Sequence, residues 1–420
     1  MKINLIVILF YLACFNRAFA QEELNWGACI KEAAKNHPDL IASQQEIKQS
    51  EASKQETASG LFPQITADAS GSRAKTAGSS GSAISDSYGY GVSGTQLIFD
   101  GAKTINNVKA ASENISAAKQ GYRFTSTAVR YRLRSAFVDL LRAQEMLRIT
   151  EEIYKIRRDN LELITLRYQS GLEHKGALLT AEADLAEAKY KISQNNRQVQ
   201  VAQRELVKEM GRKQLTPIFA KGDFQIKDSA AEPPDFEKLA INNPSLLQLI
   251  AQKNSAQFSL KSAYSNFFPV LTGNVGANRA GSHWTPRGDQ YDYGVGLSLP
   301  LFEGGLRTAQ VSQARALVKQ LEENQRSIHD GVILTLQQNW AALQDGLENV
   351  SVQFKVLTAT QERSKIAQAQ YAIGLVTFDN WTIIEDNLVK AKSNYLDAQT
   401  AALLAEARWV QAKGEVLEYD

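Results

Sequence analysis

The chain has 420 residues, with 47 Lys+Arg against 45 Asp+Glu and only two cysteines. Removal of residues 1–20 takes away Lys2, Arg17 and Cys14 and no acid, which leaves 45 bases against 45 acids and Cys29 alone. That balance gives no net field to draw in nucleic acid, and a single cysteine excludes an internal disulfide or a cysteine metal cluster.

In chain order, "MKINLIVILFYLACFNRAFAQ" reads as a cleavable secretory signal: Lys2, an apolar run from Leu5 to Phe15, then Ala18-Phe19-Ala20 before Gln21. Lipidation at Cys14 is disfavoured by Tyr11 and Leu12 before it. No later stretch offers about 18 apolar residues, so any membrane crossing must use β-strands. Beyond the signal the chain repeats itself. Pro38 in "NHPDL" and Phe62-Pro63 recur as Pro244 in "NNPSL" and Phe268-Pro269, 206 residues later. After a Gly/Ser-rich segment the offset becomes 203. "YGVSGTQLIFDGA" matches "YGVGLSLPLFEGG", "YQSGL" from Tyr168 matches "YAIGL" from Tyr371, and Gly211 matches Gly414. The expected plan is a first repeat over 21–211, a linker over 212–236, a second repeat over 237–414 and a tail over 415–420.

Each repeat begins with a helix, 27–60 in the first, followed by two strands, 61–75 and 86–99 in the first and 268–280 and 291–302 in the second. Between them "AGSSGSA" (77–83) and "GSHWTPRGD" (281–289) read as exposed loops. The spacing Gly89, Gly91, Gly94 imitates a dinucleotide fingerprint, but that needs a strand before the glycines and a helix at them, and here the helix begins only past Gly101. The alternation gives another reason for the glycines. Tyr291, Tyr293, Val295, Leu297, Leu299 and Leu301 share one parity, against Asp292, Gly294, Gly296, Ser298 and Pro300. Tyr88, Tyr90, Val92 and Ile98 stand likewise against Gly89, Gly91, Ser93 and Thr95. An apolar face ending in tyrosines and a small polar face describe a transmembrane strand, with Tyr88, Tyr90, Tyr291, Tyr293, Val295, Leu297 and Leu299 toward lipid. An ordinary sandwich strand with one face on a core is the alternative. Two strands per repeat give four per chain, which cannot close a barrel, so the barrel must be shared between chains.

The strands lead into proline-free helical stretches, 101–170 and 304–373, and each is followed by a shorter helix, 172–211 and 377–414. Leu133, Leu140, Leu147, Tyr154, Leu161 and Tyr168 recur every seven residues, as do Leu336, Leu343, Val350, Leu357, Ser364 and Tyr371. This heptad describes a coiled-coil seam, and a helical stretch of about 70 residues spans about 105 Å. The fold class is therefore mixed and mainly α: a duplicated unit of long coiled-coil hairpins with two transmembrane strands per repeat.

The duplicated plan, the Phe-Pro pairs before the strands, "LIFDGA" and "LPLFEGG" after them, and the Tyr-x-x-Gly turns followed by "LLTAEADLAEAK" and "IIEDNLVKAKSNY" resemble the TolC family of outer-membrane efflux and secretion proteins. The resemblance covers nearly the whole mature chain. It implies a homotrimer, a 12-stranded barrel in outer-membrane lipid, and a helical tunnel reaching across the periplasm. It further implies docking of the turns at Gly171, Leu172, Gly374 and Leu375 onto a periplasmic adaptor that leads to an inner-membrane RND or ABC transporter. At the periplasmic entrance the chain departs from its relatives. The family's two ring aspartates fall on Asn380 and Ile383, and its latch arginine and aspartate fall on Val376 and Ala177. The entrance is then expected to close by packing around Phe378 and Ile383. Asp379, Glu385 and Asp386 lie nearby, as solvated helix-end acids or as charge at the mouth.

The four histidines lack ligand spacing, and no Walker loop, nucleophile elbow or Ser/His/Asp set occurs, so no enzyme, cofactor or metal is expected. The reading is a passive exit duct. A periplasmic adaptor or a structural surface coiled coil would share the heptads, but neither needs paired lipid-facing strands twice over.

Overall fold

The computed structural model describes residues 22–78, 81–226 and 232–417. The signal segment, part of the first Gly/Ser loop, part of the linker and the end of the tail lie outside the described residues. Helices dominate, and the duplication is visible in their lengths. In the first repeat α1 (Trp26–Asn36) and α2 (Pro38–Ser59) precede β2 (Gln64–Gly78), β3 (Gly81–Phe99), α3 (Lys103–Gln169) and α4 (Lys175–Glu209). The second has α5 (Phe236–Ile241), α6 (Pro244–Ser265), β5 (Val270–Gly281), β6 (Gly288–Ser298), α7 (Leu306–Ala372) and α8 (Phe378–Ala412). α2 and α6 both have 22 residues, α3 and α7 both 67, and α4 and α8 both 35.

The expected first helix is broken in two at His37. Pro38 disfavours the α conformation for the residue before it, and His37 is extended at ψ 124°. Its backbone N–H caps α1 by donating to Ala33, and its Nδ1 accepts from the N–H of Asp39, so one residue ends one helix and starts the next. Pro38 occupies the first position of α2, where its missing N–H costs nothing.

The chain forms two compact units. One comprises the described residues within 1–42, 123–243 and 331–420, so it holds the ends of α3 and α7 with α4 and α8. Its buried seam includes Leu133 and Leu140 of α3 and Leu336 and Leu343 of α7. Toward the turns the seam thins, and Tyr168 is exposed where its counterpart Tyr371 is buried. Trp340 and Trp409 meet edge-on at 5.3 Å in a cluster with Ala240, Leu336, Leu343 and Ala405. The described start of the linker forms regular structure. β4 (Ile218–Ala220) pairs in parallel with β1 (Glu22–Leu24), and the Arg212 guanidinium contacts Glu22 at 2.7 Å and Glu32 at 2.5 Å. Glu209 is buried. Hydrogen bonding from His37, then Lys208, holds its carboxyl down at about 2. Cys29 is fully buried, and desolvation pushes its thiol up to about 12, so it is held protonated and packed.

The other unit, residues 43–122 and 244–330, carries a four-stranded antiparallel sheet in the order β2-β3-β5-β6. The helices below it are tied by polar bonds, Lys54 to Ser112 at 3.2 Å and Lys253 to Gln325 at 2.7 Å. The first hairpin runs further into its Gly/Ser segment than expected, with the pairing continuing to Gly78 and Gly81. The fourth strand is shorter than expected and stops at Ser298, because Pro300 has no N–H for the ladder. Leu299 therefore lies just past the strand.

The turns from strand to long helix explain "FDGA" and "FEGG". Asp100 accepts from the N–H of Thr104 at 2.8 Å and so caps α3. Gly101 sits at φ +66°, and a Cβ there would press into Phe268. Ala102 also holds φ +66°, where the second repeat has Gly305 at +88°. A left-handed alanine costs about 1–2 kcal/mol, so Ala102→Gly should stabilise the protein by about 1 kcal/mol net of glycine's entropy. An upward shift of the thermal midpoint in detergent checks this, and no shift or a fall counts against it.

Candidate functional site: the hairpin ends and the two faces of the sheet

Two regions hold the residues singled out from the sequence, one in each unit. In the first, α3 and α7 both end in a Schellman motif. The Leu172 N–H donates to the carbonyl of Arg167 and that of Leu375 to Gln370, both at 2.9 Å. Gly171 and Gly374 hold φ +74° and +79°, and a Cβ added at either would meet nothing within 4 Å, so conformation alone calls for glycine there. The residues after them, Leu172 and Leu375, are 67% and 72% exposed, and Ile373 is exposed beside them.

Beneath these turns the two repeats lock together. Tyr371 stacks on Trp381 with centroids 4.4 Å apart and planes 11° apart, inside a cluster with Ile164, Ala177, Ala181, Ala367 and Phe378. Arg167, at the end of α3, lies 4.8 Å over the Tyr371 ring and donates to the carbonyls of Tyr371 and Ala372, orphans at the end of α7. The Tyr371 hydroxyl donates to Glu173 at 2.9 Å; burial, then this contact, pushes its ionisation up. The Trp381 indole N–H and the Arg167 Nε are buried with no partner among the described residues.

The residues expected at the entrance fall in different surroundings. Phe378 is only 8% exposed and belongs to the cluster shared by the two repeats, since it starts α8 on the side that faces Tyr371. Ile383 is exposed, as are Asp379 and Asn380 in the first turn of α8, where Thr377 is the N-cap. Asp386 is half-exposed and pairs with Arg157 at 2.5 Å, and Arg157 also reaches Asp184 at 3.4 Å. Burial raises the Asp184 carboxyl above its usual range. Glu385 is buried as well and accepts from the Ser364 hydroxyl at 2.5 Å. Arg157, 229 residues before Asp386 in the chain, joins it to Asp184 of the first repeat, a link with no local signature.

In the second unit the register sorts the sheet into two faces. Ile65, Gly94, Val275 and Tyr293 pair across the four strands, and so do Ala67, Val92, Ala277 and Tyr291. Tyr88, Tyr90, Val295 and Leu297 lie on this same face, and Tyr293 and Val295 are 89% and 70% exposed. At the turn end the face finishes in ion pairs, Arg73 with Asp86 at 2.6 Å and Arg279 with Asp289 at 2.5 Å. The opposite face carries Thr66, Ser70, Gly89, Gly91, Ser93, Asn274, Asn278, Gln290 and Gly294, with Thr66 and Ser93 hydrogen-bonded at 2.8 Å. The glycines are there for space: a Cβ on Gly91 would overlap Asn278, and one on Gly276 would overlap Asp292. Ile98, expected to continue the apolar face, sits in a register shift between Leu97 and Phe99. Among the described residues no group of His, Cys, Asp and Glu could hold a metal ion, and no helix is long and apolar enough to cross a membrane.

With the repeats, the two-faced sheet and the long hairpins in place, the comparisons are specific. The sequence matches the outer membrane efflux protein family over residues 29–212 and 236–415, and the chain belongs to that family. The outer membrane efflux protein BepC of Brucella suis is 23% identical over 406 residues, 95% of this chain and 84% of the relative. The outer membrane protein TolC of Escherichia coli is 22% identical over 348 residues, 78% and 69% of the two chains. The fold is that of the Campylobacter jejuni CmeC outer membrane channel, with TM-score 0.83, 16% identity, and 93% and 86% of the chains covered. It is also that of the Neisseria gonorrhoeae MtrE outer membrane channel, with TM-score 0.78, 16% identity, and 94% and 90% covered. The protein is thus an outer-membrane protein of an efflux channel family, not an enzyme.

Proposed function

We propose that the chain is one third of a passive exit duct. Three copies join their sheets into a 12-stranded barrel in the outer membrane, the hairpins extend into the periplasm, and the exposed turns at Leu172 and Leu375 dock onto a periplasmic adaptor coupled to an inner-membrane RND or ABC transporter. The observation that carries this reading is the sheet itself: one exposed apolar face, one polar face, and two outer strands, β2 and β6, with no outward partner among the described residues. Lipid tolerates no open edge, and four strands cannot close alone, so β6 of one copy pairs with β2 of the next. The count of three comes from the family resemblance. The channel and efflux terms in the relatives' names support a transport role, and neither a periplasmic adaptor nor a surface coiled coil accounts for the sheet.

Docking is tested at the turns. Their leucines touch little of their own chain, so bulky residues placed there spare the fold and block a partner. Leu172→Trp with Leu375→Trp should abolish export while assembly in the outer membrane persists. Unchanged export would remove the docking reading and leave the barrel untouched.

A further inference from the structure

We infer that Asp68 and Asp292 set the charge preference of the duct, making its barrel wall favour cations over anions. The inference rests on the barrel proposed above, in which the apolar face meets lipid and the polar face lines the lumen. On that polar face the strand residues are Ser, Thr, Asn, Gln, Gly and Ala with Leu97 and Val270 at one end, and the only ionisable groups among the described ones are Asp68 on β2 and Asp292 on β6. Every lysine and arginine of the sheet falls on the other face, where Arg73 and Arg279 are spent on Asp86 and Asp289. Neither lumenal carboxylate has such a partner on its face: Asp68 stands level with Gly91, Asn278 and Gln290, and Asp292 lies over Gly276. Both residues are exposed.

Placement on the two outer strands has a consequence. When β6 of one copy pairs with β2 of the next, the carboxylates of neighbouring copies come to the same seam, so charge gathers at each junction instead of spreading evenly. Rings of fixed carboxylates are a general route to cation preference. Twelve strands spaced about 4.8 Å apart and tilted about 40° give a backbone radius of about 12 Å, and side chains narrow the lumen further. That is close to the Debye length of about 10 Å at 0.1 M salt, so wall charge is felt at the pore axis and fades near 1 M.

The test is the reversal potential of the purified protein in planar bilayers under a KCl gradient kept below about 0.1 M. The wild type should pass potassium over chloride by several-fold. Asp68→Asn with Asp292→Asn, which keeps shape and removes charge, should bring the ratio to near unity, and Asp68→Lys with Asp292→Lys should turn it toward chloride. A wild type without cation preference, or variants that keep it, would overturn the inference while the duct stands. Absence of any conductance from wild-type protein would instead overturn the duct, and the inference with it.

Discussion

Val295→Arg should keep the protein from assembling in the outer membrane, while Gly294→Arg, one residue earlier, should assemble. The two positions are neighbours on β6 with opposite parity: Val295 pairs with Gly273 on the apolar face, and Gly294 with Asn274 on the polar one. An arginine on the lipid side near mid-membrane costs about 2–4 kcal/mol in each copy, and every copy of a shared barrel incurs it. On the lumenal side the same charge stays in water, and nothing lies within 4 Å of a Cβ added to Gly294, so the larger side chain has room. Fractionation of outer membranes, with the folded form read by resistance to unfolding in detergent, separates the outcomes. Failure of the Gly294 variant alone would reverse the assignment of the faces, and equal assembly of both would remove it.

Trp381→Ala should be the most damaging single change at the hairpin ends. Trp381 is among the largest fully buried side chains, stacked on Tyr371 and edge-on to Phe378, and its loss leaves a cavity where the two repeats meet. Truncation of a buried aromatic costs about 3–5 kcal/mol. Because the indole N–H has no partner among the described residues, Trp381→Phe forfeits packing volume but no hydrogen bond, and should keep most of what the alanine variant loses. Hydrogen exchange over residues 161–181 and 364–385 reads the effect locally: fast in the alanine variant, near wild type in the phenylalanine one. Equal protection in all three proteins would show that this cluster does not hold the ends together.

The architecture is legible in the sequence because its signals are periodic and occur twice. Pro38 and Pro244 mark the same helix start, the heptad from Leu133 and its copy from Leu336 announce the long helices, and the parity of Tyr291, Tyr293 and Val295 predicts one face of a sheet. What escapes depends on partners distant in the chain. The pairing of Glu22–Leu24 with Ile218–Ala220 leaves no periodicity in three residues, and the grip of Arg212 on Glu22 spans 190 positions. The surroundings of the residues expected at the entrance escape for the same reason. That Tyr371 packs on Phe378 and that Arg157 pairs the half-exposed Asp386 are both invisible to local reading. The alternation through Leu299 and Leu301 predicts too long a strand, because it continues past Pro300, where the ladder cannot.

The central claim is that the sheet of each chain is a fragment of a barrel completed by other copies. The most direct measurement is the mass of the complex extracted in detergent from the outer-membrane fraction. Three chains per particle is the predicted result, stable at dilution because the exposed outer strands are paired. A single chain recovered from the soluble periplasmic fraction would contradict it, since the apolar face with Tyr293 and Val295 would then never meet lipid.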